Sequence, residues 1–216
     1  MKALLKVMFT LALFFALTFV ILKATGLITV EKIKFWLEEA KNTDPLYVAA
    51  IIVALLFADL FVAVPTLTVI ILGGYFLGPA AGAISAIIGL FFAGICGFGL
   101  SAKFGEKLVS FLIKDRDKRD KAMETFQNHG PVVILLSRAV PILPEVSACM
   151  AGMTRMPFIK FLLLWLLSTI PYATIASYAG SISTFENPSP ALFTAIGLTI
   201  FLWSVWFGFH RFVNGK

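Results

Sequence analysis

From Leu46 to Phe104 the chain runs for 59 residues with only two charged side chains, Asp59 and Lys103. One helix that crosses a membrane uses about 20 apolar residues, so a run of this length has to fold back on itself. Two full spans would need a polar turn between them, and the run offers none. Its only breaks are Pro65, the pair Gly73-Gly74, and Gly78-Pro79. Proline removes a backbone donor and clashes with the preceding turn. Backbone freed in this way is tolerated at membrane depth only where protein or a wet cavity covers it. The pattern therefore predicts a re-entrant hairpin over 46–79 (a half-helix in, a break at Pro65, a return to Gly78-Pro79), then a transmembrane helix over 80–102. Small residues recur at spacing four, Gly78, Gly82 and Ala86, then Ala93, Gly97 and Ser101. Such stripes let another helix pack closely.

The rest of the chain fits the same class. Hydrophobic residues make up 59 % of it, charged residues 14 %, and the mean hydropathy is +0.93; soluble domains carry about 25 % charge. A soluble globular enzyme, a disordered tail and a nucleic-acid reader are all excluded as fold classes. Residues 1–216 read as a single all-α polytopic membrane domain. Residues 7–22 begin like a signal peptide, but the apolar run continues towards Ile28 without a small-x-small cleavage site, so 7–28 reads as a transmembrane helix. Residues 29–44 read as an amphipathic helix with Trp36 as an interface anchor. Residues 103–130 are a charged cytoplasmic segment. Residues 131–157, broken by Pro141 and Pro144, form a second re-entrant hairpin. Transmembrane helices over 158–182, with a kink at Pro171, and over 191–209 complete the chain. Cys96 and Cys149 fall in apolar stretches and read as free thiols.

Charge orients this arrangement. With both termini cytoplasmic, thirteen Lys and Arg lie inside and four, Lys23, Lys32, Lys34 and Lys41, lie outside. That bias follows the positive-inside rule. It holds only if both hairpins are re-entrant, because a full span in place of the first would move the basic segment across the membrane. The remaining basic residue, Arg138, is left within the membrane.

The two hairpins share a spacing. Pro65 stands eight residues before Gly73, and Pro144 eight before Gly152; Pro79 and Pro157 follow the two turns. The units 46–102 and 131–182 therefore read as an inverted-topology repeat, an architecture whose binding site sits where broken helices meet. Asp59 lies six residues before Pro65 and Arg138 six before Pro144. Corresponding positions thus hold an acid and a base. An intramembrane charge costs at least ~2.5 kcal/mol. Two readings remain: an ion pair that pins the hairpins together, or a site where Arg138 receives an anion and Asp59 carries a proton or releases the arginine. The planar guanidinium fork suits a phosphate. Glu145, directly after Pro144, is the third unusual charge, and it would face a vestibule, accept backbone donors freed by the break, or carry a proton. The candidate substrate-binding residues are Asp59, Arg138 and Glu145; the candidate hairpin breaks are Pro65, Gly73, Gly74, Pro141, Pro144 and Gly152.

The stretch Ser137-Arg138-Ala139-Val140-Pro141-Ile142-Leu143-Pro144, followed by Ala151-Gly152-Met153, Met156 and Phe161, resembles the second hairpin of the DedA superfamily, the VTT-domain or SNARE-associated Golgi protein type. Pro65 through Gly73-Gly74-Tyr75-Phe76-Leu77-Gly78-Pro79 with Gly82 is similar to the first. The resemblance covers about residues 45–185. It implies re-entrant hairpins, inverted repeats, a bacterial inner membrane and a role in moving lipids between leaflets, undecaprenyl phosphate or phospholipid among them, with protons as a coupling ion. Arg138 matches the first arginine of the family's R-x-x-P-x-x-R motif, whereas Pro144 stands at the second. The usual P-G-D after the first break reads Pro65-Thr66-Leu67. These departures resemble the VTT branch more than the undecaprenyl-phosphate transporters.

The sequence thus points to a flippase- or scramblase-like lipid transporter, with an ion- or proton-coupled transporter of a small soluble anion as the alternative. An enzyme is not expected. There is no H-E-x-x-H, Ser-His-Asp set or metal-ligand cluster, His129 beside Gly130-Pro131 reads as a helix-end residue, and His210 is remote from it. No metal or cofactor is expected; membrane lipids and protons are the expected partners, and an oligomer is open.

Overall fold

The computed structural model describes residues 13, 35, 44–62, 64–112, 115–139, 142–183 and 189–214. The expected helices 7–28 and 29–44 fall outside these, apart from Leu13, Phe35 and Asp44, and so does Pro141. Among the described residues the fold is all-helical: α1 Pro45–Ala58, α2 Thr66–Leu112, α3 Arg116–Leu136, a 3₁₀ turn Ser137–Ala139, α4 Leu143–Met153, α5 Phe158–Ser181 and α6 Ser189–Asn214.

Local chemistry explains where these helices begin. Asp44 caps α1, its side chain accepting from the Leu46 N–H at 2.9 Å, and Pro45 occupies the first turn, where its missing donor costs nothing. Pro65 immediately precedes α2, and Pro144 lies in the first turn of α4. α2 carries one interruption, at Gly78, with φ 80° and ψ 174°. No side chain crowds that position, so its glycine is there for a conformation that other residues avoid. The Ser177 hydroxyl of α5 donates to the Pro79 carbonyl beside the break at 3.0 Å.

Other glycines act through space. A Cβ on Gly74 would strike the Ser177 carbonyl, one on Gly180 the Ile71 carbonyl, and one on Gly152 the Phe98 carbonyl. α2 and α5 therefore meet backbone to backbone, and theirs is the most extensive contact in the fold, followed by α1 on α2 and α4 on α2. Gly82 against Ser177 and Gly97 against Leu60 belong to the same packing.

The core falls into two clusters. One joins Val48, Ile52, Leu56, Val69 and Ile70 with Ala173 and Ala176 from the C-terminal half of α5. The other joins Phe98, Phe126, Ile134, Val146 and Met150 with Phe161 and Trp165 from its N-terminal half. α5 thus ties two helix–break–helix units together, and the breaks meet near its middle.

Several expectations are corrected. Gly73, Gly74 and Gly152 are not breaks; each lies inside a helix, where the missing side chain admits a neighbour. The breaks lie at 59–65, at Gly78 and around Ile142. His129, Gly130 and Pro131 sit within α3, which runs from the charged segment into the second apolar stretch. One missing N–H does not end a helix whose Gly130 packs against Phe126 and Met156. α6 begins at Ser189, earlier than 191. Cys96 and Cys149 are free and half-buried. Thr66–Gly105 and Phe158–Ser181 are long and apolar enough to cross a membrane.

Candidate functional site

The two charges six residues before their prolines occupy matching places. Asp59 follows the last residue of α1, and Arg138 lies in the 3₁₀ turn after α3. Each therefore stands where a helix ends inside the fold and backbone groups lose their partners.

Asp59 is 4 % exposed and fully engaged. One carboxylate oxygen accepts the Val64 N–H at 2.8 Å; the other accepts the Thr66 hydroxyl at 2.5 Å. It therefore organises the break and the start of α2.

Arg138 rests on α5. Its Nη2 donates to the Thr169 hydroxyl at 3.0 Å. Its guanidinium carbon lies 5.0 Å from the Trp165 ring centroid and 5.7 Å from that of Tyr172, within cation–π range. Its Nε is buried without a hydrogen-bond partner. A buried donor left in that state costs about 1–3 kcal/mol, which marks Arg138 as a group not optimised for stability alone.

Glu145 sits in the first turn of α4, where the helix N-terminus favours an anion. It lines the same cavity as Asp59 and Arg138. Ile142, just before α4, is held at φ 72°, a strained conformation for a β-branched residue.

These groups share a cavity of about 510 Å³, whose wall includes Asp59, Arg138, Glu145, Tyr172, Thr199 and Trp203. Most of its other lining is apolar, with Val64, Pro65, Leu67, Ile142 and Pro144. A second, small pocket also touches Asp59, Arg138 and Glu145, together with Trp165. The structure thus brings all three sequence-picked charges to one place. Thr66, Trp165, Thr169 and Tyr172 were missed, as were Thr199 and Trp203 on α6. The spacing 165, 169, 172 on one helical face was the available signal for α5, but aromatic and threonine residues there read equally as core.

The VTT domain matches residues 64–182. The chain is 29 % identical over 126 residues to a Bacillus subtilis protein named undecaprenyl phosphate transporter A, a match covering 54 % of this chain and 64 % of that protein. It is 27 % identical over 140 residues to an uncharacterised membrane protein of Synechocystis, covering 57 % and 63 %. The chain thus spans a little under two thirds of the length of these relatives. No solved structure matches it. The departures at Pro144 and at Pro65-Thr66-Leu67 do not keep the chain from resembling a protein named as an undecaprenyl phosphate transporter. With the match extending over more than half of its length, the chain belongs to the VTT-domain family of the DedA superfamily.

Proposed function

We propose that this protein moves a phosphate-bearing lipid between the leaflets of a membrane, with Arg138 receiving the phosphate. The observation that carries this is a partly buried arginine with an unpartnered Nε on the wall of a largely apolar cavity. Apolar walls suit acyl or prenyl chains, and a single guanidinium suits one anionic head group. The name of the Bacillus relative supports a phosphate-bearing lipid as substrate.

The two helix–break–helix units are read as re-entrant hairpins in an inverted repeat, with both termini cytoplasmic in a bacterial inner membrane. The charge bias of the sequence supports this orientation. That two acids, Asp59 and Glu145, line one cavity with Arg138 supports proton coupling, since either could carry a proton that transport loads or releases.

The test is leaflet exchange of a labelled anionic lipid in vesicles containing the purified protein, with Arg138→Ala beside it. Exchange by the native chain and a drop of roughly tenfold or more in the variant are expected, the size of one lost charge-assisted contact. An unchanged variant removes Arg138 from the mechanism. Uptake of soluble phosphate without lipid exchange would favour the small-anion alternative.

A further inference from the structure

We infer that the Trp165–Thr169–Tyr172 face of α5 is a positioning element for Arg138, with Thr169 setting the direction of its guanidinium. The inference rests on Arg138 being the anion-receiving group proposed above. Arg138 has little local support. It sits on a three-residue 3₁₀ turn, and the chain then passes through the left-handed Ile142. An arginine side chain carries about 2 kcal/mol of rotamer entropy, so a short turn alone would leave it free to swing.

α5 supplies what the turn lacks. Residues four and seven apart lie on one helical face, so Trp165, Thr169 and Tyr172 form a single surface beneath the guanidinium. Thr169 is fully buried and bonds Nη2 at 3.0 Å. Trp165 is itself locked, its indole N–H donating to the Leu90 carbonyl of α2 at 3.0 Å and its ring filling the space that Gly94 leaves open. The seat is thus anchored through α5 to α2 rather than to the segment that carries the arginine.

The choice of acceptor matters chemically. A carboxylate in place of Thr169 would orient the guanidinium but also neutralise it, and would compete with an arriving anion. A hydroxyl orients without neutralising. The rings of Trp165 and Tyr172 are attracted to the cation in the same way, and neither supplies a formal charge. The seat therefore holds the guanidinium in place without itself adding a counter-charge that would compete with a phosphate.

Two measurements on the purified chain test this. The first is the rate at which phenylglyoxal modifies Arg138, read by peptide mass spectrometry with Arg116, Arg119 and Arg155 as internal references. The second is leaflet exchange of labelled phosphatidylglycerol in phosphatidylcholine vesicles as a function of its concentration. Thr169→Val should raise both the modification rate and the half-saturating lipid concentration by roughly tenfold, or about 1.4 kcal/mol, with the maximal exchange rate little changed. Thr169→Ser, which restores the acceptor, should return both to native values. Native values in Thr169→Val, or a lowered melting temperature as its sole effect, would overturn the inference. If the native protein moves no lipid but Thr169→Val still exposes Arg138 to the reagent, the transport reading fails and the seat stands.

Discussion

The Thr66 hydroxyl donates to the Asp59 carboxylate at 2.5 Å, reaching back seven residues across the break between α1 and α2. The second carboxylate oxygen takes the Val64 N–H, also freed at that break. An acid buried in an apolar run is thereby fixed in place by the donors that the break itself exposes. Asp59 belongs both to the architecture and to the charge cluster around Arg138.

That dual role has a measurable cost. Thr66→Val should lower stability by about 1 kcal/mol, the usual net value of one hydrogen bond. Asp59→Ala should lower it by roughly 1–3 kcal/mol, because the buried Val64 N–H then has no acceptor. Denaturant or thermal unfolding in detergent gives both values. An Asp59→Ala protein as stable as the native one would show that the carboxylate does not hold the break.

The backbone contact between α2 and α5 makes a second expectation. Gly74→Ala and Gly180→Ala each place a methyl group against a carbonyl of the facing helix. Overpacking of this kind costs about 1–3 kcal/mol and pushes the helices apart. Gly99→Ala, which meets nothing, is the control and should lose no stability. Equal melting temperatures for Gly74→Ala and Gly99→Ala would contradict the packing.

Glu145 carries the third. It lines one cavity with Asp59, Arg138 and Tyr172. If transport loads a proton there, Glu145→Gln fixes the site in a neutral form, and exchange should lose its dependence on pH. Vesicle exchange measured across a series of pH values reads this directly. A pH profile that matches the native one would rule out Glu145 as the proton carrier.

Much of this protein was legible in one dimension because its rare residues stand out. Asp59, Arg138 and Glu145 are conspicuous in apolar surroundings, and Asp59 and Arg138 share an offset of six residues from Pro65 and Pro144. The glycines misled for a physical reason. A glycine that bends a chain and a glycine that admits a neighbour look the same in sequence, so Gly73, Gly74 and Gly152 read as breaks although only Gly78 needs its positive φ. Thr169 and Tyr172 carried no mark either, being ordinary occupants of an apolar helix.

By itself, then, the sequence determined the all-helical membrane class, the interruptions of the long apolar run at Pro65 and Gly78, and the three charges that apolar stretches cannot carry without partners. Composition and spacing suffice for that, because the desolvation of a charge and the missing donor of a proline act locally. Only the tertiary structure decided that Asp59 is held by Val64 and Thr66, that Arg138 rests on the Thr169 face of α5, and that α6 brings Thr199 and Trp203 to the same cavity. Those relations depend on how helices cross, and crossings are set by close contacts such as Gly74 on Ser177 and Gly180 on Ile71, between residues about a hundred positions apart.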